Sequence, residues 1–126
     1  MKKNGAILWI LGIFIFSCKH VYTDPTVTIT EVVNGGTYHN NDTVHMNITM
    51  SDLDKLHEGY LYLKSDTDTF FAYQPYVHGL SSYTLDTFWV VNGIVKLTGV
   101  DAFVTGVAHN HQEGITTIDI PIKLFP

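Results

Sequence analysis

An all-β antiparallel sandwich is the fold class this sequence predicts. Three observations carry that expectation: apolar and polar residues alternate from Pro25 onward, turn residues interrupt the alternation at regular spacing, and no stretch after Cys18 has apolar residues at helical spacing. In the first strand Val27 and Ile29 alternate with Thr26, Thr28 and Thr30. In the second, Val44, Met46, Ile48 and Met50 alternate with Thr43, His45, Asn47 and Thr49. Between them Asn34-Gly35-Gly36 supplies residues tolerant of positive φ, and Asn40-Asn41-Asp42 adds a second polar break.

The third and fourth strands fall at 59–65 and 69–73, with Asp66-Thr67-Asp68 as their hairpin turn. Residues 82–91 read as a fifth strand, 101–108 as a sixth and 115–124 as a seventh, whose inward row is Ile118, Ile120, Ile122 and Leu124. Pro121 lies on the opposite row and cannot donate to a ladder, which implies an edge or a bulge. A short eighth piece is expected at 94–97. The apolar rows predict a core that includes Val44, Met46, Ile48, Leu61, Leu63, Ile118, Ile120 and Ile122.

About seven strands in roughly a hundred residues match a single Ig-like or fibronectin-type sandwich, with a small closed barrel as the alternative. Pro25-Thr26-Val27-Thr28-Ile29-Thr30, Asn34-Gly35-Gly36-Thr37-Tyr38, Asp42-Thr43-Val44 and Ser51-Asp52-Leu53-Asp54 together resemble the first half of bacterial Ig-like domains of surface proteins and lipoproteins. The segment from Val107 to Gly114, followed by Ile120-Pro121-Ile122-Lys123-Leu124, is similar to their last hairpin. The resemblance is built from turn and core residues, so it implies a fold and an adhesive, spacer or binding role and implies no chemistry.

The amino-terminal segment addresses location. Lys2 and Lys3 precede an apolar run from Gly5 to Phe16, which closes on Ser17-Cys18 in the order of a secretory signal and is too short to span a membrane as a helix. Ile15-Phe16-Ser17-Cys18 resembles the lipobox of bacterial lipoproteins, with Phe16 departing from the small or branched residue usual there. Residues 1–17 are then a cleaved signal peptide, Cys18 is the lipidated first residue of the mature protein, 18–24 a short linker and 25–126 the domain. Cys18 is the one cysteine in the chain and has no internal disulfide partner, an arrangement that acylation explains. Lys19, and not Asp, follows it, which by analogy with lipoprotein sorting favours the outer membrane.

Beyond Cys18 the chain keeps five lysines and no arginine against its 12 carboxylates. This balance provides no basic stripe for a phosphate backbone, so nucleic acid is not an expected partner. It also gives little attraction to anionic lipid heads, so membrane attachment rests on the acyl chains at Cys18. Nucleophile elbow, phosphate loop and His-Glu-x-x-His motif are all missing from the sequence, and the expectation is a protein that is not an enzyme.

Two polar constellations stand out. Ser51-Asp52-Leu53-Asp54-Lys55-Leu56-His57-Glu58 and His109-Asn110-His111-Gln112-Glu113-Gly114 occupy the BC and FG loops of an Ig-like sandwich, and chain direction places both at the pole where the first strand begins. Asp52, Asp54, His57, His109 and His111 are therefore candidate metal ligands, with Glu58 and Glu113 nearby. Carboxylates suit calcium and imidazoles suit zinc. The competing reading is that the Asp-x-Asp serves its own backbone, and on that reading no cofactor is needed. The second constellation is aromatic. Tyr60 and Tyr62 share one strand face, Leu61 and Leu63 the other, and Tyr73 and Tyr76 are expected to extend an outward row with Phe71. Such a row anchors a protein partner or stacks on sugar rings. Trp89, with apolar neighbours on both faces, reads as core.

Together these features predict a lipid-anchored, non-catalytic binding or accessory module of the bacterial envelope whose partner is another envelope protein. The alternatives are a carbohydrate-binding module using the exposed aromatics and a calcium- or zinc-binding domain using the two loops.

Overall fold

A computed structural model describes residues 21–126; the expected signal peptide, the expected lipidation site Cys18 and Lys19 lie outside the described residues. Eight strands follow one another: β1 (Thr26–Thr30), β2 (Gly36–His39), β3 (Thr43–Ser51), β4 (Leu56–Lys64), β5 (Thr69–Tyr73), β6 (Ser82–Val90), β7 (Val100–Asn110) and β8 (Ile115–Phe125). They form a three-stranded sheet of order β1-β3-β6 and a five-stranded sheet of order β2-β8-β7-β4-β5. Two separate sheets packed on each other make a sandwich, and the closed-barrel alternative falls away.

The alternation read from the sequence decides what lies between the sheets. Val44, Met46, Ile48 and Met50 of β3 are buried, as are Leu61 and Leu63 of β4, Val104 and Ala108 of β7, and Ile122 and Leu124 of β8. Ile118 and Ile120 depart from the expected core and are only partly buried. They lie on the part of β8 that β2 does not cover, because β2 pairs with β8 only from Ile122 to Phe125. Trp89 is likewise half-buried, packed on the core and against Phe70 at a ring separation of 5.5 Å.

Pro121 sits where the open edge of β8 gives way to β2. Its carbonyl accepts from the Gly35 N–H at 2.8 Å, so its imide nitrogen faces that same open side and the β7 ladder loses no donor. The edge expectation is therefore met. Two other expectations are not. Gly36–His39 forms a strand, β2, which the sequence shows only as a turn and which pairs with β8 in parallel. Residues 94–97, expected as a strand, are irregular: Ile94 is buried and its backbone is bracketed by the Asn40 side chain, which accepts from the Ile94 N–H at 3.2 Å and donates to its carbonyl at 2.8 Å. With these groups satisfied by a side chain, that segment needs no ladder.

Candidate functional site

The chain passes between the sheets through the segments 52–55 and 74–81, and β7 turns into β8 through 111–114. All three converge at one pole. Asp52 N–H donates to the Ser81 carbonyl, Leu56 N–H to the Leu80 carbonyl, and Gly79 N–H back to the Leu56 carbonyl at 2.8 Å. Asn110, buried at the end of β7, donates its amide to Asp52 and to the Thr23 carbonyl, both at 3.0 Å. The entry of the chain into β1 is thus tied to the same pole, as the sequence predicts for the two polar loops.

The candidate ligands divide there. Asp52 is buried and structural: one carboxylate oxygen accepts from the Asp54 N–H and the other from Asn110. This is the backbone-serving reading of the Asp-x-Asp turn. His109 lies on the outer face of β7 with its ring 6.0 Å from that of Tyr60. His57 and His111 do meet, with ring centroids 4.8 Å apart, and a third imidazole that the sequence did not single out, His78, joins them. His78 is 4.8 Å from His111 and 5.2 Å from His57 between centroids, and the Nδ1 atoms of His57 and His78 are 3.2 Å apart. One nitrogen from each of the three rings can be chosen so that all lie within 4.8 Å of one another. Asp52, Asp54 and His109 are not members of that group.

Each of the three exposed rings is carried by a backbone anchored beside it. His57 is the extra residue of a β-bulge: Leu56 pairs with Asn110 and Glu58 with His109, leaving His57 unmatched and re-aimed between them. Buried Leu56 precedes it, and buried Val77 precedes His78. His111 follows buried Asn110, whose side-chain oxygen accepts from the Gln112 and Gly114 N–H groups at 2.9 and 2.7 Å and so closes the turn. Glu58, with Gln74 and Tyr76, lines a hollow beside His57 and His78, and Glu113 lines one beside His57 and His111.

The aromatic constellation is brought together only in part. Tyr60 and Tyr62 lie on the outer face of the five-stranded sheet, parallel within 9° at 5.9 Å, with the Lys64 ammonium 5.6 Å from the Tyr62 ring. The Tyr60 hydroxyl donates to Glu58 at 2.7 Å. That hydrogen bond raises the phenol's pKa above the ordinary tyrosine value, and desolvation, the Glu58 charge and Tyr62 push the same way. Tyr73 does not extend this row. A register shift in the β4–β5 pair opposes Tyr73 to Leu61 and Phe71 to Leu63, so both face inward at the sheet edge. There Tyr73 hydrogen-bonds Tyr83, whose pKa is raised by burial first, then by the Tyr73 charge and this hydrogen bond. Tyr76 is exposed beside His78, with ring centroids 6.4 Å apart, and belongs to the pole and not to the sheet face.

No protein-family model and no curated protein sequence matches this chain. Among solved structures, a fibronectin(III)-like module of Clostridium thermocellum CbhA superposes with a TM-score of 0.51 at 9% identity, covering 79% of this chain and 96% of that one. The chain has an Ig-like, fibronectin III-like fold. The structure of murine CRIg aligns with a TM-score of 0.43 at 14% identity over 82% of this chain and 98% of that one. At such identities the likeness is one of fold, and function has to be argued from the surfaces of this chain.

Proposed function

We propose that this protein is a lipid-anchored, non-catalytic binding or accessory module of a bacterial cell envelope, held to the outer membrane through Cys18, whose partner is another envelope protein. The observation that carries the binding role is the outer face of β4 and β7. Tyr60 and Tyr62 stand there in a parallel pair, and the register places Val107 and Thr105 opposite them and Phe103 opposite Lys64. Phe103 is 37% exposed although it is a phenylalanine on a sheet face. Large, rigid tyrosine and phenylalanine side chains with charges such as Glu58, Lys64 and Asp119 around them have the make-up of a protein interface, where aromatic anchors dominate the energy and charges form the rim.

The anchor rests on the lipobox-like Ile15-Phe16-Ser17-Cys18 and on the lack of a disulfide partner for Cys18. Fractionation of cells producing Cys18→Ser tests it: the folded domain is expected in the soluble envelope fraction, and a variant still wholly membrane-bound overturns the assignment. Site-specific photocrosslinking in cells tests the partner. A crosslinker at Tyr62 is expected to trap an envelope protein that a crosslinker at Phe88, on the outer face of the other sheet, does not. Equal products from both positions, or binding of glycans that depends on Tyr62, overturn the protein-partner reading.

A further inference from the structure

We infer that His57, His78 and His111 form a binding site for a single first-row transition-metal ion of the Zn²⁺ type. Three observations carry this. The first is composition. Three imidazoles meet with no carboxylate oxygen in their group, a donor set that suits Zn²⁺, Ni²⁺ or Cu²⁺ and not the oxygen-seeking Ca²⁺.

The second is distance. A tetrahedral ion with metal–nitrogen bonds of about 2.0–2.1 Å holds its ligand nitrogens about 3.3 Å apart. The Nδ1 atoms of His57 and His78 already stand 3.2 Å apart. One nitrogen from each of the three rings already lies within 4.8 Å of the others, so closing to the tetrahedral spacing asks for side-chain movements of at most about 1.5 Å. An exposed imidazole makes a shift of this size by side-chain rotation on the nanosecond scale or faster. The three rings are inclined to one another by 56–86°, so no pair is stacked face to face and held there by that packing.

The third is the way each ring is held. The bulge at His57, the turn that carries His78 and the Asn110-closed turn that carries His111 are three separate segments, each fixed by backbone hydrogen bonds or by a buried neighbour. A site whose ligands are already near their bound positions loses little freedom on binding. Glu58 lines a hollow with His57 and His78, Glu113 lines one with His57 and His111, and both add negative charge favourable to a cation. Three protein ligands leave a fourth position for water.

The binding is independent of the anchor and of the tyrosine face, so its failure leaves the proposed function standing. The test is titration calorimetry and thermal melting of the purified protein without a histidine tag, with Zn²⁺, with Ca²⁺ and with chelator. One Zn²⁺ per chain is expected, with a Tm that climbs as Zn²⁺ increases, returns to the starting value with chelator and does not respond to Ca²⁺. His78→Ala is expected to abolish the response, as are His57→Ala and His111→Ala, while His109→Ala and Asp54→Ala retain it. All three ligand rings are exposed, so the metal-free melting of these variants should match that of the unaltered protein and separates lost binding from lost folding. No Zn²⁺-dependent rise in Tm, or a rise that survives in His78→Ala, overturns the site.

Discussion

Asn110 donates its side-chain amide to Asp52 at 3.0 Å, joining two turns 58 residues apart in the chain. The same side chain holds Thr23 and closes the β7–β8 turn through Gln112 and Gly114, so one buried amide ties three segments of the pole together. Asn110→Ala leaves the Asp52 carboxylate without that donor, at a cost of about 1–3 kcal/mol for each buried polar group left unpaired. Asn110→Asp is expected to be worse, since it sets a second carboxylate against the first in a buried position. Urea unfolding checks both: the midpoint should fall in that order at unchanged slope, and an Asn110→Asp variant as stable as the parent contradicts the account.

Gly106 is a point of close approach between the two sheets. A Cβ built there would lie 2.5 Å from Ile48 Cδ1 and 2.9 Å from Val27 Cγ1, both from the opposite sheet. Gly106→Ala is therefore expected to destabilise by about 1–3 kcal/mol through overpacking. Ile48→Val removes the Cδ1 methyl, so the double variant should recover part of the loss. A double-mutant cycle with no favourable coupling refutes the contact as the cause.

The register of β3 makes a third expectation. Ile48 is fully buried, whereas Thr49 on the opposite face hydrogen-bonds the Thr84 hydroxyl at 3.0 Å in an exposed pair. Ile48→Ala is expected to cost about 2–5 kcal/mol. Thr49→Ala should stay within about 0.5 kcal/mol, and Ile118→Ala should cost less than Ile48→Ala because Ile118 is only partly buried. Thermal melts ranking Thr49→Ala as the more damaging would mean a register one residue out.

Val44, Met46, Ile48, Leu61 and Leu63 were readable from alternation because a half-buried strand writes its inner face directly into the sequence. β2 was not, since four residues carry too little alternation and their partner in β8 lies far along the chain. The sequence pattern puts Tyr73 on the opposite face from the one it takes, for a related reason. The irregularity between Leu63 and Lys64 adds one residue to the hairpin, and one residue inverts every side chain beyond it. At the pole, the convergence of the two loops followed from chain direction, and His57 and His111 were found that way. His78 was missed because no ligand spacing marks Pro75-Tyr76-Val77-His78; it reaches His57 only through the crossing from β5 to β6 and a bulge that no local pattern announces.

The phenol of Tyr60 provides the last expectation. Its hydrogen bond to Glu58 and its neighbours raise its pKa above the ordinary 10.0, so the folded protein holds this proton more tightly than the unfolded chain does. The linked stability is thus present in full below pH 10.0 and is lost as the pH rises through the higher native value. In an ultraviolet titration of the phenolates, Glu58→Gln is expected to move one late-ionising tyrosine down toward the ordinary range, because it removes the charge that opposes ionisation. Tyr60→Phe should delete that tyrosine altogether. Tyr83, raised mainly by its burial and also by Tyr73, supplies a reference that neither substitution should move. If the late-ionising population is identical in the parent and in both variants, the Tyr60–Glu58 hydrogen bond does not govern the titration, and the geometry assigned to that corner of β4 is wrong.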